Sequence, residues 1–188
     1  MPAAKGKASP YAARRNDGLA LRGGLTTIRP VSITITPATP DDAPVLLALI
    51  RELAEYEKLL DRVSATEASL RRDLFGPRAF AEVLIGKLNA EPVGYALFFH
   101  SYSTFLARPG VYLEDVFVKP AARGKGAGKA LLRAVARAAR DRGCGRMEWS
   151  VLNWNTPAIE FYEALGAEPL KEWTTYRMDE AAIADLAE

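Results

Sequence analysis

Cysteine and histidine are almost absent from this sequence, which has one of each, Cys144 and His100, in 188 residues. A single cysteine excludes a disulfide within the chain and a cysteine zinc cluster, so we expect a protein of a reducing compartment, the cytoplasm, without a metal. His100 lies in an apolar run and is expected to pack within a strand, and no serine–histidine pair for covalent catalysis is evident. No apolar run is long enough to span a bilayer, so a membrane is not an expected partner.

Acidic residues are almost absent from the first thirty positions, where Asp17 stands against six lysines and arginines. This segment has a net charge of +5, which leaves about −3 for the rest of a chain whose total is +2. It also lacks apolar periodicity and the continuous apolar core of a secretory signal. We therefore predict a disordered basic extension at residues 1–30 and one folded domain at residues 31–188. A nucleic-acid or membrane-surface arm is the alternative for the extension, but no nucleic-acid partner is expected, because the positive charge lies in the extension alone.

The remaining sequence alternates between strand-like and helix-like patterns. Residues 32–36 alternate apolar and hydroxyl side chains, as a first strand does. Thr39 and Pro40 begin a first helix, and Ser64 with Glu67 forms a capping box for a second. The later predicted elements are strands at 79–88 and 93–101, a central strand, a helix to about residue 142, a strand at 146–152, a helix at 156–165, a last strand at 172–178 and a short terminal helix. This order indicates a mixed α/β fold.

Residues 112–132 have the pattern of an anion-binding site. A β run is followed by RGKGAG at residues 123–128 and then by an Ala/Leu-rich helix. Glycines let the backbone approach a ligand, and a helix N-terminus presents free N–H groups and a positive dipole to phosphate. Ala130 replaces the Ser/Thr of a Walker A loop, and Leu131 replaces the third glycine of a dinucleotide fingerprint. The alternative is a glycine-rich connection that holds no ligand.

A second motif, NWNTPAIEFYEALGA, follows one strand later at residues 153–167. Together with the Arg-Gly-x-Gly-x-Gly loop, about thirty residues before it, this motif resembles the GCN5-related N-acetyltransferases. LED at residues 113–115 and LIRELAEYE at residues 49–57 narrow the resemblance to diamine (spermidine/spermine) N-acetyltransferases and their thialysine-acetylating relatives. The resemblance covers residues 33–178.

The resemblance implies a fold and a co-substrate. The fold is the GNAT acyl-CoA N-acyltransferase fold, in which the fourth and fifth strands of a mixed central sheet splay apart and the acetyl thioester lies in the gap. The co-substrate would be acetyl-CoA, with its pyrophosphate on the glycine loop, and the protein would be a homodimer. The matched coenzyme contacts are Val116, Phe117, Val118, Arg123, Gly124, Lys125, Gly126, Ala127, Gly128, Lys129, Asn155, Thr156, Pro157, Ala158 and Tyr162.

The resemblance also gives roles to acids and aromatic residues. Tyr162 would be the general acid that protonates the departing thiolate, and a phenol with a pKa near ~10 stays protonated at neutral pH. Glu114 would face the amine and relay its proton through water. Asp115 is the weaker candidate, because neighbouring strand residues face opposite sides unless a bulge re-aims them. The other expected substrate contacts are Tyr56, Glu57, Trp149 and Ser150.

Acetyl transfer to an amine requires the ammonium, with a pKa near ~10.4, to lose a proton before attack. With no nucleophile–base pair evident, we predict direct attack by a small primary amine of the polyamine, diamine or thialysine type. The segment after Glu57, KLLD, is less acidic than expected for long polyamines, and Thr156 replaces a frequent acid, so the identity of the amine stays open. The alternatives are a protein N-terminal or lysine acetyltransferase and a non-catalytic acyl-CoA sensor.

Overall fold

The structure, a computed structural model, describes residues 32–188, and the prediction for residues 1–30 lies outside this part of the chain. Within these residues, five strands form one sheet in sequence order: β1 (Ile33–Pro37), β2 (Glu82–Leu88), β3 (Glu91–Ser103), β4 (Arg108–Val118) and β5 (Met147–Glu148). The first four are antiparallel to their neighbours, whereas β5 runs parallel to β4. The mixed α/β fold predicted from the sequence, with its mixed central sheet, is confirmed.

Five α-helices accompany the sheet in the same residues: α1 (Ala43–Tyr56), α2 (Glu67–Phe75), α3 (Ala127–Asp141), α4 (Thr156–Glu163) and α5 (Glu180–Leu186). Helix α3 follows the glycine loop, as predicted, and α5 is the short terminal helix. None of the helices in residues 32–188 is long and apolar enough to cross a membrane.

Two local predictions were wrong, whereas the predicted start of the first helix is confirmed. Thr39 and Pro40 begin the helical segment, the Thr39 N–H donates to the Asp42 carboxylate at 2.8 Å, and the first turn, Pro40–Asp42, is a 3₁₀ turn that runs directly into α1. Helix α2 is capped by Thr66, which lies directly before its first residue, and not by Ser64. His100 is exposed rather than packed, because it lies on an outward-facing position of β3.

Two apolar clusters pack against the sheet, one with α1 and one with α3. The cluster with α1 contains buried residues of α1 and the central strands, namely Leu46, Leu49, Val83, Ile85, Tyr95 and Phe117. The cluster with α3 contains, among others, Phe98, Val111, Leu113, Leu131 and Val135. Because strand side chains alternate between faces, we assign the two clusters to opposite faces of the sheet.

A β-bulge at Glu114 changes which residues of β4 face each cluster. The ladder pairs Asp115 with Leu97 but Leu113 with the next residue of β3, so Glu114 has no opposite residue. Leu113 lies in the α3 cluster, whereas Phe117, four positions later, lies in the α1 cluster. One extra residue has therefore inverted the period-two alternation. Asp115 consequently shares the α1 face with Phe117.

Strands β4 and β5 are paired over only two positions, Val111 with Met147 and Tyr112 with Glu148. Strand β4 continues to Val118, whereas the chain after Glu148 leaves the sheet. The strand predicted at residues 146–152 is therefore much shorter than expected. The predicted separation of the fourth and fifth strands is confirmed, and it opens a gap beside the second half of β4.

The strand predicted at residues 172–178 is not formed. Its threonines and aromatic residues favour extended backbone, but that preference does not hold a strand without a partner. None of the five strands in residues 32–188 pairs with this segment. Trp173 and Tyr176 remain 71% and 90% exposed.

Candidate active site

The turn between β4 and α3 has an open backbone. Gly124 and Gly126 have φ angles of 75° and 89°, in the left-handed region where a side chain is strained. Helix α3 begins at Ala127, and the N–H of Ala130 donates to the carbonyl of Gly126 at 3.0 Å. The N–H groups that precede Ala130 therefore have no acceptor within the helix. Together with the helix dipole, they can bind phosphate oxygens.

The two long side chains of this turn point back to the protein. Arg123 Nε donates to the carbonyl of Val118 at 3.0 Å, and its guanidinium lies 4.3 Å from the centre of the Tyr56 ring. Lys125 Nζ donates to the carbonyl of Ala121 at 3.3 Å. These contacts fix the turn, so backbone groups form most of the anion-binding surface.

Tyr56 connects the end of α1 with the start of α4. Its hydroxyl donates to Asn155 Oδ1 at 3.2 Å, and its ring centre lies 5.9 Å from that of Trp154. The sequence predicted Tyr56 for the substrate and Asn155 for the coenzyme, and the structure brings these two residues into contact. Sequence reasoning did not predict Trp154 as a site residue, although the residue stands in the second motif.

The bulge separates the environments of Glu114 and Asp115. Glu114 is exposed, whereas Asp115 turns inward and accepts a hydrogen bond from the hydroxyl of Tyr95 at 2.9 Å. Burial raises the pKa of Asp115, the Tyr95 hydrogen bond opposes that rise, and the charge of Glu114 adds to it. Asp115, the weaker of the two sequence candidates, thus lies deeper in the protein than Glu114, whose predicted role remains a prediction.

Glu57 and Tyr162 interact electrostatically with Asp115. Burial raises the pKa of Glu57, and the charge of Asp115 raises it further. Burial, followed by the charges of Glu57 and Asp115, raises the pKa of Tyr162 to about 12. The Tyr162 ring packs beside Trp149, with 5.1 Å between ring centres. A pair of like charges beside a protonated phenol is suited to binding a cation and donating a proton.

The other predicted residues differ in exposure. Val116 is half-buried, Phe117 and Val118 are buried, and the exposed Ser150 hydroxyl lies 3.0 Å from that of Tyr112. Thr156, Pro157 and Ala158 form the first turn of α4, and Gly128 and Lys129 lie in the first turn of α3. Sequence reasoning missed Tyr95. Its signal was a phenol in an otherwise apolar strand, because a buried hydroxyl requires a partner.

The sequence is similar to a known protein family over a range that includes the glycine turn, the separated strands and the α4 tyrosine. Residues 48–167 match the model of the Acetyltransferase (GNAT) family. The chain belongs to this family. It is therefore an acetyltransferase, and the resemblance found in its sequence is confirmed.

Relatives of this GNAT enzyme cover most of its length. Thialysine N-epsilon-acetyltransferase of Bos taurus is 42% identical over 166 residues, which are 82% of this chain and 97% of that protein. L-ornithine N5-acetyltransferase NATA1 of Arabidopsis thaliana is 34% identical over 191 aligned positions, covering 78% of this chain and 84% of that protein. Among solved structures, the V. cholerae integron cassette protein VCH_CASS6 superposes with a TM-score of 0.71 at 25% identity, covering 84% of this chain and 98% of that one.

Proposed function

We propose that this enzyme transfers an acetyl group from acetyl-CoA to a primary amine of a small diamine-like, polyamine-like or thialysine-like substrate. The observation that carries the proposal is the electrostatic interaction among Glu57, Asp115 and Tyr162, which come from the residue after α1, from β4 and from α4. The two carboxylates disfavour each other's charge, and an ammonium group would relieve that repulsion. A protonated phenol beside them supplies a proton donor for a leaving group.

The acetyl donor fits the backbone around the gap. Acetyl-CoA supplies an activated thioester and carries a pyrophosphate, for which the turn at Gly124 and Gly126 offers free N–H groups at the start of α3. Strand β4 has no ladder partner on the β5 side after Tyr112. Main-chain groups of Val116 to Val118 on this side are therefore available to a pantetheine arm, apart from the Val118 carbonyl, which accepts Arg123 Nε.

In the proposed reaction, the amine nitrogen attacks the thioester carbonyl carbon directly. The ammonium loses one proton before the attack, and the nitrogen loses a second proton after it; both pass through water to the carboxylates of Glu114 and Asp115 and then to solvent. The carbon–sulfur bond breaks, and the sulfur takes the phenol proton of Tyr162, which recovers a proton from solvent. Because the pKa of Tyr162 is about 12, the phenol is fully protonated at neutral pH before each turnover.

The substrate class follows from the number of carboxylates and from the relatives. One carboxylate can serve the reacting amine, which leaves Glu57 for a second positive group of the same molecule. The relatives are named for thialysine and for L-ornithine, and each name specifies acetylation of a side-chain nitrogen. We infer a short molecule with two amino groups.

We also propose a homodimer. The support is apolar surface at two places, the β3–β4 connection, where Phe105 is 97% exposed, and the C-terminal segment, where Tyr176 is 90% exposed. Light scattering would test this proposal: a dimer has twice the 20.5 kDa of the chain. A mass of one chain at micromolar concentration would refute it.

The test of the proposed activity is thiol release from acetyl-CoA against putrescine, spermidine, spermine, thialysine, ornithine, lysine and a short peptide. Turnover of one small-amine class supports the proposal and identifies the class. Activity on the peptide alone would favour a protein acetyltransferase. Acetyl-CoA binding without turnover of any acceptor would favour an acyl-CoA sensor.

A further inference from the structure

We propose that Tyr95 is a positioning residue of the acetyl-transfer reaction: its phenol fixes the Asp115 carboxylate in the orientation that receives the substrate ammonium. The inference rests on the proposed function, because it concerns how one carboxylate of that site is held. Tyr95 would not touch the amine itself. Its effect on catalysis would pass through Asp115.

The geometry of the sheet brings the two side chains together. Tyr95 on β3 lies opposite Phe117, and Asp115 precedes Phe117 by two positions on β4. Residues two apart on a strand face the same side, so the phenol and the carboxylate are diagonal neighbours on the α1 face. The distance from Tyr95 Oη to Asp115 Oδ2 is 2.9 Å.

The phenol is held rigidly. Tyr95 has 0% exposure and packs among Leu46, Leu49, Ile85 and Phe117, so its ring cannot follow a moving partner. Burial, followed by the charge and hydrogen bond of Asp115, raises the pKa of Tyr95 well above its usual value. The hydroxyl therefore stays protonated, donates to Oδ2 and leaves Oδ1 for another donor.

The carboxylate is fixed without being neutralised. Within residues 32–188, Asp115 has no ion-pair partner, and its side-chain partner is the neutral phenol. The titratable groups that interact electrostatically with it are all acidic: Glu57 directly after α1, Glu114 from β4, Tyr162 from α4 and Tyr95 itself. A positively charged amine would neutralise the charge of this carboxylate. A cationic side chain in place of Tyr95 would already have formed an ion pair with Asp115 inside the protein.

This arrangement links Tyr95 to the pH dependence of the reaction. The hydrogen bond from Tyr95 favours the ionised form of Asp115 and opposes the effect of burial. Deleting the hydroxyl must therefore raise the pKa of Asp115. If ionised Asp115 receives the ammonium, kcat/KM falls as pH decreases through that pKa, and the fall in a Tyr95→Phe variant begins at higher pH.

The test is a double-mutant cycle of Tyr95→Phe and Asp115→Asn, with the pH profile of kcat/KM as readout. Tyr95→Phe should lower kcat/KM for the amine at neutral pH by about tenfold, as expected for a lost hydrogen bond to a charged group. Its acid limb should shift to higher pH. In the Asp115→Asn background the same change should have almost no effect. Tyr102→Phe is the control, because it deletes an exposed phenol of the same strand without touching Asp115, and its acid limb should coincide with that of the wild type.

A role for Tyr95 in packing alone predicts a different result. The loss would then be equal in the wild-type and Asp115→Asn backgrounds, the acid limb would not move, and the proposal would be overturned. Thermal melting of each variant separates loss of fold from loss of function. A wild-type pH profile in Tyr95→Phe would overturn the proposal as well.

A direct titration distinguishes failure of this inference from failure of the proposed function. Carbon-13 NMR of the Asp115 carboxyl, assigned through Asp115→Asn, should give a higher pKa in Tyr95→Phe than in the wild type. If no amine is acetylated, the proposed function fails, while a raised pKa still supports the Tyr95–Asp115 link. An unchanged Asp115 pKa overturns the inference whatever the enzyme acetylates.

Discussion

The hydroxyl of Tyr56 donates a hydrogen bond to Asn155 Oδ1 across 99 residues of sequence. One partner ends α1 and the other precedes α4, so a single contact joins the expected substrate side of the site to the expected coenzyme side. Arg123 from the glycine turn packs on the same ring. The Tyr56 side chain therefore joins three segments that are separate in the sequence: the end of α1, the glycine turn and the start of α4.

Removing this hydroxyl should weaken binding of the coenzyme. A neutral hydrogen bond contributes about 0.5–1.5 kcal/mol, so Tyr56→Phe should raise the Kd for acetyl-CoA by about 2- to 10-fold. The ring remains and keeps its contacts with Arg123 and Trp154. Isothermal titration calorimetry measures the change, and Tyr102→Phe, at the exposed end of β3, is the control. An unaltered Kd would show that the contact does not support the coenzyme side.

The glycine turn gives a second prediction. At Gly126 φ is 89°, and an added Cβ would lie 3.4 Å from Ile33 Cδ1. A left-handed non-glycine residue costs about 1–2 kcal/mol, so Gly126→Ala should lower the melting temperature and weaken acetyl-CoA binding by roughly tenfold or more. Gly143→Ala is the matched control, since Gly143 has φ of 68° and open space at the other end of α3. Both variants should melt earlier, but only Gly126→Ala should lose affinity for the coenzyme.

The sequence was informative where function depends on local backbone. The glycine turn and α3 could be predicted, because glycines and helix patterns act within a few residues. The direction of Asp115 could not, because it depends on a bulge at Glu114 that appears only when β4 pairs with β3. The partnership of Tyr95 with Asp115 depends on the same register. The strand predicted at 172–178 failed for a similar reason: its residues favour a strand, but no strand in the described part of the chain pairs with them.

Tyr162→Phe should lower turnover by about 10²-fold or more, the scale of a lost general acid, while acetyl-CoA binding and melting temperature change little. The ring contacts with Trp149 and Phe161 are retained in this variant. Since a general acid acts in its protonated form and the pKa of Tyr162 is about 12, the wild-type kcat should show no loss from this group below about pH 11. Normal turnover of the phenylalanine variant would remove Tyr162 from the role.

Glu57→Gln should raise the KM of a diamine more than that of a monoamine of equal length. The reason is that only the diamine carries a second ammonium for this carboxylate. Burial and the charge of Asp115 raise the pKa of Glu57. As pH falls, Glu57 should therefore be protonated at a higher pH than an ordinary glutamate, and the wild type should lose its preference for diamines at that higher pH. Glu55→Gln, an exposed glutamate of the same helix, is the control. Equal effects on both amines would contradict a role in binding the second ammonium.

Asp115→Asn should stabilise the protein while it impairs catalysis. The pKa of Asp115 in the folded protein is raised, so the folded state binds its proton more tightly than the unfolded state, whose aspartates titrate near ~3.9. The free energy of unfolding therefore decreases as pH rises through the interval between the two pKa values, and the loss persists at neutral pH. Asparagine avoids this cost, and its side-chain oxygen can still accept the Tyr95 hydrogen bond. We expect a higher melting temperature than the wild type at pH 7.5, a smaller difference near pH 4, and a lower kcat/KM for the amine. A variant that melts earlier at neutral pH would mean that Asp115 contributes more to folding through its hydrogen bond than it costs through its charge.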